Sequence, residues 1–558
     1  MPELDRGVWH GPLPTFILDR FLQPTWRHEV AIVDGSSSSL DAPAQVTYEQ
    51  LYAQTYSLAA ALKSELHCLK KGDIAAIMSP NHMNFFQAFH AISLTGAAST
   101  TINPQYTAEE VRYQLELTRA TCIIAHPMCL KVAKEASGGE IPVFSIAPAD
   151  PADPGTQSIV PFMGTSLSAI DPEAFLGGSK RSRKMFDEHS VATIPFSSGT
   201  TGRAKGVMLS HRNLTSNILQ TMAYEGKYLL PEHSRSGKRG TLLCPLPFFH
   251  IYGMTAGMCV PLFVGAKLIF MSSFDLQRYL ELVQKFRVSR GHVVPPIVLA
   301  LAKHPLVDKY DLSSLESLMS GAAPLGGETQ LLAARRLGCL VKQAWGMTET
   351  SPCGAITPDD MISSIQAIMG RSGVLAPATE GKIVDPVTGA DLACTQEGEL
   401  LVRGPQIMLG YFENQDATRA TLRSDGFMHT GDIAKFDDEG WLYITDRSKE
   451  LIKYKGFQVP PAELEALLLS MPQIKDCVVI PVLDEEAGEL PRAYVVRQDS
   501  HLTLTEQQVM DFVHAKVAPY KRLRGGIRFV DSVPKSPSGK LLRRVQIQLD
   551  RVGSAKQG

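Results

Sequence analysis

Residues 194–209 read IPFSSGTTGRAKGVML: an apolar run, then Ser197, Ser198, Gly199, Thr200, Thr201 and Gly202, then Lys205 and a second apolar run. Glycines let a backbone approach a ligand closely and expose its N–H groups. Four hydroxyls and one ammonium add donors and a positive charge, and the whole set suits a polyphosphate. The spacing is not that of a Walker A loop, because Gly202 stands three residues before Lys205 and Gly206 follows the lysine. A polar turn between two strands is the plainer alternative.

A second chemistry-bearing segment lies near the other end. Lys540 closes a Pro-Ser-Gly turn, and between Lys521 and Arg544 eight Lys/Arg stand against one acid. Such a tip can neutralise anions that a reaction brings together. For most of the surrounding cations a solvated basic face is the simpler reading. His250, in PFFHIYG, is flanked by aromatics, where a lone histidine is commonly a satisfied core residue. The nine cysteines form no CxxC and there is no HExxH, so reduced thiols are expected rather than a disulfide framework or a Cys-rich zinc site.

The elements that must hold these segments follow from the pattern. Residues 73–79 (DIAAIMS) predict a buried strand, 84–94 a helix followed by Gly96, and 122–126 another strand. This βαβ rhythm argues mixed α/β layers. Residues 147–155 (APADPADPG) predict a surface loop. Residues 398–404, 431–436 and 441–445 predict short strands, with DDEG at 437–440 as a turn. Beyond Asp446 the texture changes. PPAELEALLL at 460–469 has prolines at a helix start, early glutamates and an apolar face, and 478–481 is strand-like. These features divide the chain into domains 1–445 and 446–558.

Composition bounds the function. With 558 residues, 44% hydrophobic and 20% charged, the chain has a globular composition and can bury a large core. A net charge of −2 argues against a coat for nucleic acid or an anionic membrane. From Asp446 onward there are 18 basic and 14 acidic residues, so this part suits an anionic ligand. The start of the chain lacks a secretory pattern. The apolar stretch 256–271 is broken by Pro261, Gly265 and Lys267 and is too short to span a bilayer. The final AKQG is not an SKL address. A cytoplasmic protein without a transmembrane segment is expected, with a peroxisomal location left open.

The string SSGTTGRAKG resembles the phosphate loop of adenylate-forming enzymes. Further segments follow in that family's order: PFFHIYG at 247–253, SGAAPL at 320–325, QAWGMTET at 343–350, GELLVRG at 398–404 and GFMHTGDI at 426–433. YITDRSKELIKYKGFQVPPAELE at 443–465 and PKSPSGKLLR at 534–543 complete the series. The set is similar to the acyl- and aryl-CoA ligase branch, near 4-coumarate:CoA ligases and their relatives. The resemblance implies an α/β protein (mixed α/β and α+β), with a large N-terminal domain of layered sheets and helices and a small mobile C-terminal α+β domain. It also implies two half-reactions. ATP and a carboxylate give an acyl-adenylate and pyrophosphate; the thiolate of coenzyme A then displaces AMP. The acid is an aryl (hydroxycinnamate-like) or medium- to long-chain fatty acid.

Residue roles carry over position by position as implications of that resemblance. Lys540 bridges the two reacting groups. Ser197, Ser198, Gly199, Thr200, Thr201 and Lys205 cradle phosphates, and Thr348 touches the α-phosphate. Glu349 holds Mg²⁺ with Thr200 as a partner. Trp345, in the family's usual tyrosine place, stacks on adenine. Asp432 and Arg447 hold the ribose, and Lys449 and Lys453 contact the adenylate. Gln458 assists adenylation, and Lys455 and Gly456 flank the coenzyme A arm. His250 gates or orients the carboxylate. Tyr252, Ala256 and Ala322 line the acyl pocket, and Gln343 and Ala344 border both pocket and nucleotide.

Three departures stand out: Ala256 where serine is common, Ala344 in place of a glycine, and Ser273 where a lysine near coenzyme A is often found. They weaken hydroxycinnamate as the acid and remove one coenzyme A contact. The added methyl at Ala344 narrows the pocket, worth about 1–3 kcal/mol in discrimination. Lys540 and the 455–456 loop lie on separate segments of one small domain, so rotation at Asp446–Arg447 between half-reactions is implied. A luciferase-like oxygenase, a carrier-protein-loading module and an inactive adenylate-binding sensor are the other readings. The expected partners are a small carboxylic acid, ATP and coenzyme A, with no nucleic acid.

Overall fold

The computed structural model describes residues 11–164, 166–167, 187–197, 204–447, 450–454, 457–484, 487–499, 501–517, 519–536, 539 and 541–555. Within them the chain builds four sheets. In the largest, of nine strands, Thr241–Cys244, Lys267–Phe270, Arg290–Val293, Ser317–Ser320 and Leu340–Gly346 run parallel. Parallel neighbours need crossover connections, and helices supply them. Helix Leu276–Phe286, for example, is capped by the Asp275 side chain and buries Tyr279, Leu280, Leu282 and Val283.

An eight-stranded sheet carries the predicted βαβ unit. The strand expected over 73–79 is Ile74–Met78, the helix is Phe85–Leu94, and the second strand is Cys122–Ala125, parallel to the first. All ten helix residues are buried, which matches their apolar composition. Strand Lys205–Ser210 joins the same sheet and runs straight into helix His211–Tyr224. A capping box fixes that corner: the Asn213 N–H donates to Ser210 Oγ and the Ser210 N–H to Asn213 Oδ1.

An antiparallel sheet of four strands comprises Glu380–Val384, Gly398–Arg403, Met428–Phe436 and Leu442–Arg447. The DDEG turn is closed by the Gly440 N–H on the Asp437 carbonyl at 2.9 Å. In the last rung Asp432 lies opposite Arg447. One apolar cluster spans Leu13 to Leu442, and a separate one runs from Ile452 to Ile527. They are the cores of a large N-terminal domain and a smaller C-terminal one, the latter built on helix Pro461–Leu469 and a five-stranded sheet.

The apolar stretch 256–271 is divided among a π-helical turn, Tyr252–Cys259, a short helix, Val260–Phe263, and strand Lys267–Phe270. Among the described residues no helix is long and apolar enough to cross a membrane.

Candidate active site

Strands Arg290–Val293, Ser317–Ser320 and Leu340–Gly346 run parallel and end on one side of the large sheet. Open α/β sheets bind ligands at such carboxyl ends. A cavity of about 760 Å³ opens there. Its wall includes residues 249–252, Gly321, Ala322 and residues 344–349 of the large domain. Lys535, Ser536 and Leu542 of the small domain complete it.

Ser198, Gly199, Thr200 and Thr201 lie outside the described residues, but both flanks of their loop reach the cavity. Ser197 pairs with Lys205 across antiparallel strands, and both residues line the wall. Glu349 follows in the short turn Thr348–Thr350 and is 5% exposed. Its Oε1 accepts from Ser197 Oγ at 3.2 Å and from the Tyr411 hydroxyl at 2.9 Å. Burial and the Glu349 charge push the Tyr411 hydroxyl above the ordinary tyrosine range, so it stays a donor. Lys205 Nζ sits 4.5 Å above the Tyr411 ring, within cation–π range. Ser197, Lys205, Glu349 and Tyr411 therefore form one contiguous unit. Thr348 also lines the wall.

Tyr411 was not legible as a site residue in the sequence. Its signal is weak: an aromatic after Gly410, which adopts φ +144°. The pair Glu399 and His429 was also missed. His429 Nδ1 lies 3.1 Å from Glu399 Oε2, the Gly431 N–H donates to Glu399 Oε1 at 3.1 Å, and all three residues line the cavity.

His250 lines the wall, and its Nδ1 accepts from the Tyr252 N–H at 3.3 Å. The Tyr252 hydroxyl donates to the Met319 carbonyl at 3.1 Å, which fixes the ring in the cavity wall. Ala322 sits beside it at φ +70°, a left-handed conformation uncommon outside glycine and typical of tightly determined sites. Ala344 lines the cavity as expected from its place, whereas Ala256 is buried and does not. Gln343 turns away from the cavity: its side chain accepts from the Leu325 N–H and donates to the Leu325 carbonyl, each at 3.0 Å.

Trp345 lines the cavity, and its indole N–H donates to Asp432 Oδ2 at 2.8 Å. Asp432 is buried just past Thr430 and Gly431, which line the wall. From the small domain, Gly539 packs on helix Pro295–Lys303; a Cβ there would lie 2.9 Å from Val294. Lys540 itself, with Lys449, Lys455 and Gly456, lies outside the described residues, as do the side chains of Arg447 and Gln458. Lys453 is exposed and does not line the cavity; its backbone N–H donates to Glu489 at 2.7 Å.

Comparison with known proteins agrees with this geometry. Residues 23–412 match the AMP-binding enzyme family, and residues 463–540 match the AMP-binding enzyme C-terminal domain. The chain belongs to the AMP-binding enzyme family, as an AMP-forming acid–thiol ligase. It is 41% identical over 497 residues to 4-coumarate–CoA ligase 2 of Petroselinum crispum, covering 88% of each chain. It is 38% identical over 537 residues to 4-coumarate–CoA ligase 2 of Nicotiana tabacum, covering 96% of this chain and 94% of that one. Among solved structures, ATP-bound MatB from Rhodopseudomonas palustris superposes with a TM-score of 0.81 at 27% identity, over 97% of this chain and 99% of the other.

Proposed function

We propose that this ligase activates a short aryl carboxylic acid with ATP and passes the acyl group to coenzyme A. The observation that carries the proposal is a shared cavity. The flanks of the hydroxyl-rich loop, Ser197 and Lys205, and the flanks of the basic tip, Lys535, Ser536 and Leu542, border one space.

In the first half-reaction a carboxylate oxygen attacks the α-phosphorus and pyrophosphate leaves. Two anions meet, so fixed positive charge and donors must offset their repulsion. Lys205 and the loop hydroxyls serve the phosphates, and Lys540 serves the reacting pair. His250 orients the carboxylate, and Asp432 with Arg447 holds the ribose. The carboxylate of Glu349 suits a hard cation. Glu349, with Thr200 as its partner, would hold Mg²⁺ through hard oxygen donors. Bound there, the ion supplies charge neutralisation of the leaving pyrophosphate. In the second half-reaction the thiolate sulfur attacks the acyl carbonyl carbon and AMP leaves. The small domain turns about a hinge at Asp446–Arg447, and exchanges the Lys540 tip for the 455–456 loop.

Two features support a flat, short acid. Tyr252 lines the cavity, with Gly321 so close that a Cβ there would lie 2.9 Å from the ring. Tyr252, Ala322 and Ala344 line the cavity together, and an aromatic face beside two small side chains suits an aromatic ring.

A panel of benzoic, cinnamic and straight-chain fatty acids, assayed with ATP and coenzyme A for thioester and AMP, tests this. Aryl acids are expected to lead by at least tenfold in kcat/KM. A lead by long-chain acids would sink the aryl assignment, and no AMP with any acid would sink the ligase itself.

A further inference from the structure

We infer that Trp345 is the positioning residue for the carboxylate of Asp432, and that ribose recognition depends on its indole N–H. The inference rests on the proposed role of Asp432 as ribose ligand.

An indole nitrogen donates and never accepts, and once buried it needs a partner. Trp345 is 7% exposed, and Asp432 Oδ2 is 2.8 Å away. The bond joins two sheets. Trp345 lies on strand Leu340–Gly346 of the nine-stranded sheet, and Asp432 on Met428–Phe436 of the four-stranded one.

The donor is itself held. Trp345 pairs with Ala355 in its ladder, and its ring lies flat against Gly354, where any Cβ would fall 2.2 Å from the ring. Glycine at 354 is thus what lets the indole reach its place. On the acceptor side, the Asp432 N–H donates to Thr430 Oγ1 at 3.1 Å, which fixes the backbone beneath the carboxylate.

A carboxylate offers about four acceptor positions, and the indole takes one. That bond helps set the direction in which the carboxylate points. Two neighbouring ribose hydroxyls need a carboxylate of defined rotation, and loss of the indole donor loosens it. A phenylalanine at 345 would keep most of the ring and remove only the donor.

The test compares Trp345→Phe, Asp432→Asn and the double variant in pyrophosphate exchange with ATP and with 2′-deoxy-ATP. Trp345→Phe is expected to weaken ATP use about tenfold, the scale for losing a hydrogen bond to a charged group, and to erase most of the preference for ATP over the deoxynucleotide. KM for the acid should hold, and the double variant should lose little beyond Asp432→Asn. If Trp345→Phe keeps the preference while Asp432→Asn abolishes it, the positioning role fails and the ribose reading stands. If both keep it, the ribose reading fails and takes the inference with it. Should Trp345→Phe not fold, as judged by its thermal midpoint, Trp345→Leu, which also lacks the donor, is read by the same ratio and the same two criteria.

Discussion

Lys303 Nζ donates to the carbonyl of Leu469 at 2.7 Å, so the last residue of helix Pro295–Lys303 plugs the C-terminal end of helix Pro461–Leu469. The carbonyl of Met471, at 3.0 Å, takes a second bond from the same ammonium. The end of a helix leaves carbonyls without intrahelical partners and carries partial negative charge, so a cation is favoured there. The contact crosses from the large apolar cluster to the small one. It belongs to the arrangement in which Lys535 and Ser536 border the cavity.

Removing that ammonium should therefore unbalance the two half-reactions. Lys303→Met keeps the aliphatic stem and drops the donors. Pyrophosphate exchange is expected to fall roughly tenfold, on the scale of one or two charge-assisted bonds, while thioester formation from preformed adenylate changes little. Equal losses in both steps would show that Lys303 serves stability alone.

Tyr411 holds the same oxygen of Glu349 that faces Ser197. Partners that orient a metal-binding carboxylate usually matter roughly ten- to a hundredfold in metal affinity. Tyr411→Phe is expected to raise the Mg²⁺ concentration for half-maximal activity about tenfold, and Glu349→Gln to raise it further. A Tyr411→Phe enzyme with an unchanged Mg²⁺ curve would separate the tyrosine from the metal.

Which parts of this site the sequence discloses depends on how local they are. The apolar runs that bracket the hydroxyl-rich loop give strands because each is short and apolar and is set off by serines and glycine. The βαβ unit from Ile74 to Ala125 is legible for the same reason. The indole–carboxylate bond and the Tyr411–Glu349 bond join residues 87 and 62 positions apart, where spacing carries no signal. The bonds from Lys303 join residues 166 and 168 positions apart and across two domains, which no local spacing signals. Only the resemblance puts Ala256 in the pocket; in the fold it lies in the π-helical turn Tyr252–Cys259, buried and away from the cavity wall.

Ala344 borders the cavity beside Ala322, and its methyl is the sequence's own departure from glycine. Ala344→Gly should admit bulkier ring substituents. The expected gain is about tenfold in kcat/KM for 3,4-disubstituted over unsubstituted aryl acids, the scale of one methyl in a packed pocket. An unchanged ratio would move the limit on ring size to Tyr252.

Behind Tyr252 lies a buried charged cluster whose behaviour with pH can be worked out. The rings of Tyr252 and His292 stack at 5.6 Å. Glu225 bonds Arg290 at 3.0 Å and also pairs with Lys342, and Asp359 pairs with both cations. Neither ring nitrogen of His292 finds a hydrogen-bond partner among the described residues. Burial lowers His292 to about 4, against an ordinary 6.5, so the ring is neutral in the folded protein. Between those values the unfolded chain binds a proton that the folded one refuses. Stability from this ring is thus complete above pH 6.5 and drains away as the pH falls toward 4. At pH 5 the loss is about 2 kcal/mol for one such ring. Glu225, though buried, is held well below the ordinary carboxylate range by Lys342 and Arg290, so its contribution is lost only at lower pH. His292→Leu is accordingly expected to flatten the fall in thermal midpoint between pH 6.5 and 5 without altering the steeper fall below pH 4. A variant that kept the full slope between pH 6.5 and 5 would assign that slope to the other buried histidines, His82, His90 and His211, which burial also holds well below 6.5.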